Sequence, residues 1–527
     1  MTPEQFIQLG EEGYNHVPVV RQLFADFDTP LSCYVKVARG PYSYLLESAS
    51  QGGEKWARYS VVGLPCKRVL KVSGSQISIE ENGEVLEEFR SDDPLGYIEE
   101  LQKQYAYPDI KGLPVYTGGL VGYFSYDTVR YVEKRISLSA PEDKLNTPDI
   151  LLMVSNDVIV FDNVLGRIHI ITHADPRVAD SFDAAQLALD KIVEGLRSDI
   201  PHNLHVPEVG PRLYETDFVS SYGEKDFMAD VDRIKDYIVK GDVMQVVLSQ
   251  RMSVSFESDP LNLYRSLRSL NPSPYMYFVD LDDFQIVSSS PEILARLDHG
   301  KVTVRPLAGT RKRGSSEEED LVLEEELLAD PKEIAEHLML IDLGRNDIGK
   351  VCETGSVEVS EMMVVERYAH VMHIASNVRG KIKPEFGAMD LLRATLPVGT
   401  LSGAPKVRAM EIIDELEPEK RGIFGGAVGY LSWNGNMDTA IAIRTAIIRD
   451  NQLFVQAGAG VVADSIPSLE WKETMNKARS IFQASAMAEA GLDLQGVALE
   501  NQRTYTEPAP RAQIKNNKHA HPRESEH

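Results

Sequence analysis

Gly118-Gly-Leu-Val-Gly-Tyr-Phe-Ser-Tyr126 returns late in the chain as Gly425-Gly-Ala-Val-Gly-Tyr-Leu-Ser-Trp433. A glycine-rich strand start recurs by chance in some proteins. The stronger reading is that the two halves contain related sheets packed on each other, with glycine where backbones approach closely. Hairpin signals in both halves agree. Lys67-Arg-Val-Leu-Lys-Val and Gln76-Ile-Ser-Ile-Glu flank a Gly-Ser turn, and Asn82-Gly83 and Asn434-Gly435 are tight-turn dipeptides. Ile150 to Val160 and Arg167 to Thr172 read as a further hairpin, turning near Asp162-Asn163. The expected class is α+β: antiparallel β-sheets packed as a sandwich, with helices on the outer faces.

A chain of 527 residues exceeds one ordinary core, so two large regions are expected. The first spans 1–200, beginning with a polar helical lead-in and including a helix over Ser181 to Leu196. A linker follows over 201–225, where Pro201 to Pro211 is rich in Pro, His and Gly. The second region spans 226–490, with helices over Phe227 to Val239, 330–343 and 469–488 and a long β region from Gly425 to Val462. Residues 491–527 are polar and lack an apolar period, which reads as a disordered tail.

The formal net charge of −25 argues against a nucleic-acid partner, because a polyanion would be repelled. No run approaches the roughly 18 apolar residues a membrane span needs. The start, Met-Thr-Pro-Glu-Gln-Phe-Ile, lacks the basic and apolar regions of a secretory signal. Cys33, Cys66 and Cys352 are far apart, so neither a disulfide frame nor a zinc site is indicated. The expected location is cytoplasmic.

Two glutamate pairs stand at helical spacing: Glu333 with Glu336, and Glu470 with Glu473. Residues i and i+3 share a helix face, so each pair points two carboxylates one way. A solvated face is the commoner reading of any single pair. Asp330-Pro331 also looks like a helix cap, which would place Glu333 at the capping-box position. If the two helices face each other, four hard oxygen donors converge, as Mg2+ prefers.

Ile441 to Ile447 reads as one strand whose alternation sets Arg444 between Ala442 and Ala446, leaving room for a carboxylate ligand. The plainer alternative is an arginine paired with an aspartate. Lys477 shares the face of Glu470 and Glu473, and an i,i+4 salt bridge to Glu473 is its ordinary role. Gly458-Ala-Gly460 and Gly309-Thr310 are small-residue turns that could offer N–H groups to an anion. His373, in His370-Val-Met-His373, belongs to no metal-spaced set, and a lone histidine is more often structural. Ser289-Ser-Pro-Glu292 ends a strand over Phe284 to Val287, placing Glu292 as a candidate general acid or a plain Pro-Glu helix start.

The sequence closely resembles the chorismate-utilising enzymes, and within that family its anthranilate synthase component I branch. The resemblance covers nearly the whole chain to about residue 490. It rests on Leu-Ala-Asp-Pro-Lys-Glu-Ile-Ala-Glu-His (328–337), Asp-Leu-Gly-Arg-Asn-Asp (342–347), Leu-Ser-Gly-Ala-Pro-Lys (401–406), Gly-Gly-Ala-Val-Gly-Tyr (425–430) and Gln-Ala-Gly-Ala-Gly (456–460). Family members bind chorismate with Mg2+ and differ in the nucleophile. Gln245 stands where water-using members carry a lysine base, and an amide cannot be that base. Ala308 stands where another branch has a lysine that forms a covalent adduct. Both positions imply ammonia as nucleophile and anthranilate as product.

The resemblance further implies that Glu336 and Glu473 contact Mg2+, with Glu333 and Glu470 nearby. Glu292 would protonate the leaving C4 hydroxyl, ammonia would add at C2, and His373 would assist loss of the C2 proton as pyruvate departs. Arg444, Lys477 and Gly460 would hold the pyruvyl carboxylate, with Gly458 and Gly309 nearby, and Thr310 and Thr400 would line the ring pocket. Phe424 replaces a tyrosine that reaches the substrate in many relatives, which removes one hydrogen bond.

No cysteine lies in a Gly-x-Cys-x-Gly setting, so the chain holds no glutaminase nucleophile. A separate glutaminase subunit is expected to supply ammonia, in a hetero-oligomer for which a heterotetramer is favoured. Leu45-Leu-Glu-Ser48 and Asn271-Pro-Ser-Pro-Tyr-Met276 match the family's tryptophan-inhibition elements. Glu47, Ser48, Arg58, Pro274, Tyr275, Met276, Val428 and Tyr430 are thereby implied as a regulatory tryptophan site. Two alternatives stand: an aminase releasing aminodeoxyisochorismate, and a non-catalytic tryptophan-sensing subunit.

Overall fold

The two echoing segments form strands Gly119–Phe124 and Ala427–Ser432, and these strands pair with each other. The pairing is antiparallel and sets Gly122 directly opposite Gly429, the equivalent glycine of each copy. The related segments therefore lie edge to edge in one sheet rather than face to face. A Cβ on Gly122 would overlap the Leu151 carbonyl, and one on Gly429 the Asp438 carbonyl, each on the strand flanking the pair. Both glycines hold positive φ, +155° and +158°, so the seam demands glycine at both places.

The computed structural model describes residues 1–49, 58–201, 204, 209–368 and 371–492. Most of the expected tail, and residues 202–203 and 205–208 near the start of the expected linker, lie outside these residues. In the first half the strands are β1 (Val17–Phe24), β2 (Ser43–Glu47), β3 (Tyr59–Gly63), β4 (Arg68–Ser73), β5 (Gln76–Glu81), β6 (Glu84–Arg90), β7 (Gly119–Phe124), β8 (Ile150–Ser155), β9 (Val158–Asp162) and β10 (Arg167–Ala174). The short β11 (Val219–Ser220) precedes β12 (Gln245–Ser255), β13 (Tyr275–Asp280), β14 (Gln285–Ser290), β15 (Ile293–Asp298), β16 (Lys301–Val304) and β17 (Leu307–Lys312). Then come β18 (Glu358–Arg367), β19 (Val371–Lys381), β20 (Gly403–Ala404), β21 (Ala427–Ser432), β22 (Met437–Ile441), β23 (Thr445–Arg449) and β24 (Gln452–Val461).

Two antiparallel sheets result. One runs β1-β10-β9-β3-β2-β13-β14-β23-β24-β12-β11, and the other β17-β19-β16-β15-β22-β21-β7-β8-β4-β5-β6. Outward from the β2–β13 and β7–β21 seams, corresponding strands follow in the same order on both sides. The chain is an internal duplication about those seams, and each sheet mixes strands from both halves. The expected 201–225 boundary divides the chain but neither sheet.

The architecture matches the α+β expectation. Tyr44, Val160, Tyr123, Val428 and Ile447 belong to the apolar layer between the sheets. Helices Ser181–Leu196, Pro260–Leu270 and Pro467–Glu489 cover the outer face of the first sheet, burying Leu189, Leu263 and Phe482. Helices Pro94–Lys103, Pro331–Gly349 and Ala388–Thr395 cover the second, burying Ile98, Ile341 and Leu391. No helix among the described residues is long and apolar enough to cross a membrane.

Two expected strands are in fact broken where the chain changes sheets. Ile150 to Val160 is β8 in one sheet and β9 in the other. Ile441 to Ile447 is likewise split: β22 ends at Ile441, β23 begins at Thr445, and Arg444 between them has φ +49°. Apolar alternation continues across both breaks because both sheets bury residues there, so the pattern carries no mark of the crossover. β14 and β15 also cross between the sheets, beside β22 and β23. The Ser289 N–H donates to the Arg444 carbonyl at 3.2 Å and the Ile441 N–H to the Glu292 carbonyl at 3.0 Å, stitching this double crossover.

Candidate active site

Glu292 and Arg444 sit at that double crossover, where strand side chains no longer point into either sheet's core. Glu292 is 6% exposed, and its Oε1 accepts the Thr400 hydroxyl at 3.2 Å. Burial pushes its carboxyl up to about 8, against the weaker pull of a backbone bond, Thr400 and Lys477. It is therefore protonated at neutral pH, as a general acid requires. Thr400 lies in the short turn Gly399–Leu401. Arg444 has no carboxylate partner among the described residues, which disfavours the aspartate-paired alternative.

His373 opens β19 opposite Thr310 on β17. Its Nδ1 lies 3.0 Å from both the Gly309 carbonyl and the Thr310 hydroxyl. Donation to that carbonyl puts the proton on Nδ1 and leaves Nε2 as a free base. Burial, then Arg444, lowers the imidazole to about 4, so the ring is neutral. Lys477 donates to the Gly458 carbonyl at 2.8 Å and pairs with Glu473 at 2.8 Å, its ordinary i,i+4 partner. It also bears electrostatically on Glu292 and His373, so these groups share one locale.

Gln245 begins β12, is 4% exposed, and donates its amide to Glu336 Oε1 at 3.1 Å. Its Oε1 is buried without a partner among the described residues. A Cβ on Gly460 would stand 2.5 Å from Gln245 Nε2 and 3.9 Å from Glu336 Oε1. Glycine at 460 thus makes room for the amide beside the glutamate.

Residues 42–483 match the chorismate binding enzyme family. The chain belongs to the chorismate-binding enzymes. Anthranilate synthase component 1 of Pseudomonas aeruginosa is 56% identical over 493 residues, covering 94% of this chain and 100% of the relative. The protein of that name from Neisseria gonorrhoeae is 53% identical over 94% of this chain and 100% of its own length. The crystal structure of anthranilate synthase component I from Streptococcus pneumoniae TIGR4 aligns with TM-score 0.73 at 39% identity, covering 87% of this chain and 99% of that one.

In this chorismate-binding enzyme the two glutamate pairs approach the site from different helices. Helix Pro331–Gly349 packs on β17 and β19, and helix Pro467–Glu489 packs on β24. Lys332 on the first is close enough to pull on Glu470 of the second. Asp330 caps its helix through the Lys332 and Glu333 N–H groups. Glu333 does not reach back as a capping-box residue; it pairs with Arg311 at 3.3 Å. Burial, then Glu336, raises the Glu333 carboxyl, and burial raises that of Glu470, with Glu473 adding. Among the described residues, no three acidic, His or Cys groups already stand as a metal-binding set. Glu470 is buried, Glu333 and Glu336 are half-buried, and Glu473 is exposed and paired with Lys477. They are nonetheless paired carboxylates whose mutual repulsion a hard divalent cation would relieve, so Mg2+ fits their chemistry.

Phe424 is 6% exposed and packs in the core beneath β21. Tyr368, whose ring centroid is 5.5 Å from that of His373, was not singled out in the sequence; it lies in a loop without a motif. At the β2–β13 seam, Glu47 pairs opposite Met276 and bonds Tyr264 and Arg268, while the Ser48 hydroxyl is buried without a partner among the described residues. Pro274 immediately precedes β13. The Tyr275 hydroxyl donates to Asp438 at 2.8 Å, and Tyr430 packs 4.3 Å from Tyr116 between ring centroids. Val428 faces Tyr123 and Ala440 across its two strand pairings. Arg58 turns instead to Asp162 at 2.8 Å. Arg268, Asp438 and Tyr116 have no local sequence signal and are found only through these contacts.

Proposed function

We propose that Glu292, His373 and Gln245 carry out an ammonia-dependent conversion of chorismate to anthranilate and pyruvate. The chain is the large, chorismate-binding subunit of an anthranilate synthase. The observation that carries the chemistry is Glu292, a buried carboxyl kept protonated beside Thr400 at the double crossover. It gives its proton to the departing C4 hydroxyl as ammonia adds at C2. The amide of Gln245, fixed on Glu336, faces the nucleophile without basicity to activate water. His373 Nε2 then takes the C2 proton as the C3–O bond breaks and the ring becomes aromatic, and the departing enolpyruvate accepts a proton at its methylene carbon to become pyruvate. Arg444, Lys477 and Gly460 bind the substrate's pyruvyl carboxylate, and Gly309, Thr310, Thr400 and Gly458 shape the pocket.

Glu336 and Glu473, supported by Glu333 and Glu470, would hold Mg2+, which supplies positive charge to clamp and polarise the ring carboxylate. A separate glutaminase subunit delivers ammonia, the assembly being a cytoplasmic heterotetramer. Tryptophan binds at the seam near Glu47, Ser48, Tyr275, Met276, Val428 and Tyr430. In this scheme 1–200 is regulatory and structural, and 226–490 is the catalytic region.

The test is to mix the purified chain with chorismate, Mg2+ and ammonium at a mildly alkaline pH, no higher than the Glu292 carboxyl's value of about 8, and follow anthranilate fluorescence. Anthranilate is expected with ammonium, and none with glutamine alone. Chorismate consumed without anthranilate would favour release of aminodeoxyisochorismate. An inert chain that still binds tryptophan would favour the sensing subunit.

A further inference from the structure

The geometry points to Arg421 as a positioning residue that holds Thr400 and Gln245 in register across the site, a role resting on the function proposed above. Arg421 is 2% exposed, and among the described residues its side chain bonds Glu417, Leu401 and Val247, none of which is proposed to meet substrate. Its Nη1 donates to the Leu401 carbonyl at 2.6 Å, and its Nη2 to the Val247 carbonyl at 2.7 Å. Leu401 follows Thr400 in its turn. Val247 lies two residues beyond Gln245 on β12. The same guanidinium bonds Glu417 through Nη2 at 2.6 Å and Nε at 2.9 Å. Glu417 Oε1 accepts the backbone N–H and the hydroxyl of Ser249, both at 2.8 Å, tying the pair again to β12. The rings of Tyr126 and Phe424 close over the guanidinium, 4.7 and 5.7 Å from their centroids.

A buried ion pair is weak evidence of net stabilisation, because desolvation offsets its attraction. What this one supplies is direction. A planar fork can bond two carbonyls and a carboxylate at once, whereas an ammonium offers a point charge without that plane. The Gly399–Leu401 turn leads into β20, which pairs with β12, and the Val247 N–H donates to the Ser402 carbonyl at 2.9 Å. The Arg421 bond to Leu401 adds a side-chain restraint at the residue next to Thr400, ahead of that ladder. Phe424, expected from the sequence to border substrate, instead helps wall in this clamp.

Arg421→Lys, Thr400→Val and the double variant form the test. Arg421→Lys should cut kcat about 10- to 100-fold, as sub-ångström to 1 Å misplacement does, with a smaller change in the chorismate KM. In the Thr400→Val background the same change should cost under about threefold, since both act through one hydroxyl. Amides of 399–403 should exchange faster in Arg421→Lys while β12 stays protected. An equal kcat loss in both backgrounds, or unchanged exchange, overturns the proposal. If Arg421→Lys does not fold, Glu417→Gln keeps both carbonyl bonds and should leave the turn protected; an exposed turn in that variant overturns it equally. Full activity in Thr400→Val alone would instead remove Thr400 from the proposed chemistry, while the exchange measurement still reports whether Arg421 holds the turn.

Discussion

The Thr400 hydroxyl donates to Glu292 Oε1 at 3.2 Å, joining residues 108 positions apart at a point where two sheets exchange strands. Burial at that point raises the Glu292 carboxyl to about 8. At fixed free ammonia, kcat/KM should therefore fall as pH rises through about 8, because the proton donor is lost. The folded state binds this proton more tightly than the unfolded chain, so stability falls as pH rises from the usual carboxyl range to about 8. Glu292→Gln should lower activity by about 10^2- to 10^4-fold. Its melting temperature should exceed the parent's by a gap that opens over that pH window and then stays constant. A parent that keeps full activity well above pH 8 would rule out this donor.

His373 is neutral and presents Nε2 as a base, with Nδ1 held by the Gly309 carbonyl. In His373→Asn the first addition should survive while loss of the C2 proton slows by about 10^2- to 10^4-fold. Chromatography should show an amino intermediate accumulating as anthranilate fluorescence falls. Equal loss of both species would place His373 earlier in the reaction.

Gly460→Ala would bring a methyl group to 2.5 Å from Gln245 Nε2. The amide end of a glutamine can move, so the melting temperature should change little. The displaced amide should cost ammonia-dependent kcat/KM about 10- to 100-fold. Unchanged kinetics would remove Gln245 from the site.

Ser48, beside Glu47 at the β2–β13 seam, carries a buried hydroxyl without a partner among the described residues. Ser48→Phe should place a bulky ring beside Glu47 and abolish tryptophan inhibition, with the uninhibited rate close to the parent's. Inhibition curves with and without tryptophan decide it; retained inhibition refutes the assignment.

Gly122 and Gly429 face each other across the β7–β21 pairing. Alanine at either should destabilise by about 3 kcal/mol through overpacking against neighbouring backbone and a strained positive φ. Denaturant melts should show similar losses for the two variants, since each glycine plays the same part in the duplication. Tolerance of alanine at either would mean the seam relaxes.

Much of this was legible locally. Asp330-Pro331 announced a helix start, and Asp330 does cap it. Asn82-Gly83 and Asn434-Gly435 marked turns that the structure contains. The catalytic candidates stood in strings long enough to carry a family resemblance. The Arg444 conformation was not legible, because apolar alternation runs straight through its crossover. Nor was the Phe424 environment, since an aromatic beside two glycines looks the same in a core as in a pocket. Arg421 gave no sign of its role, which depends on carbonyls of Val247 and Leu401 brought to it from distant segments.

The sequence alone determined the periodic elements, their caps and turns, the repeated glycine strand and the chemical types gathered for the site. These follow from short-range rules of backbone freedom, side-chain period and functional-group inventory. Only the tertiary structure decided that the repeated strands pair side by side, that the chain changes sheets beside Glu292 and Arg444, and that Glu292 keeps its proton while His373 loses its own. Strand pairing and desolvation depend on which distant segments close over a residue, and the residue's sequence neighbours do not carry that information.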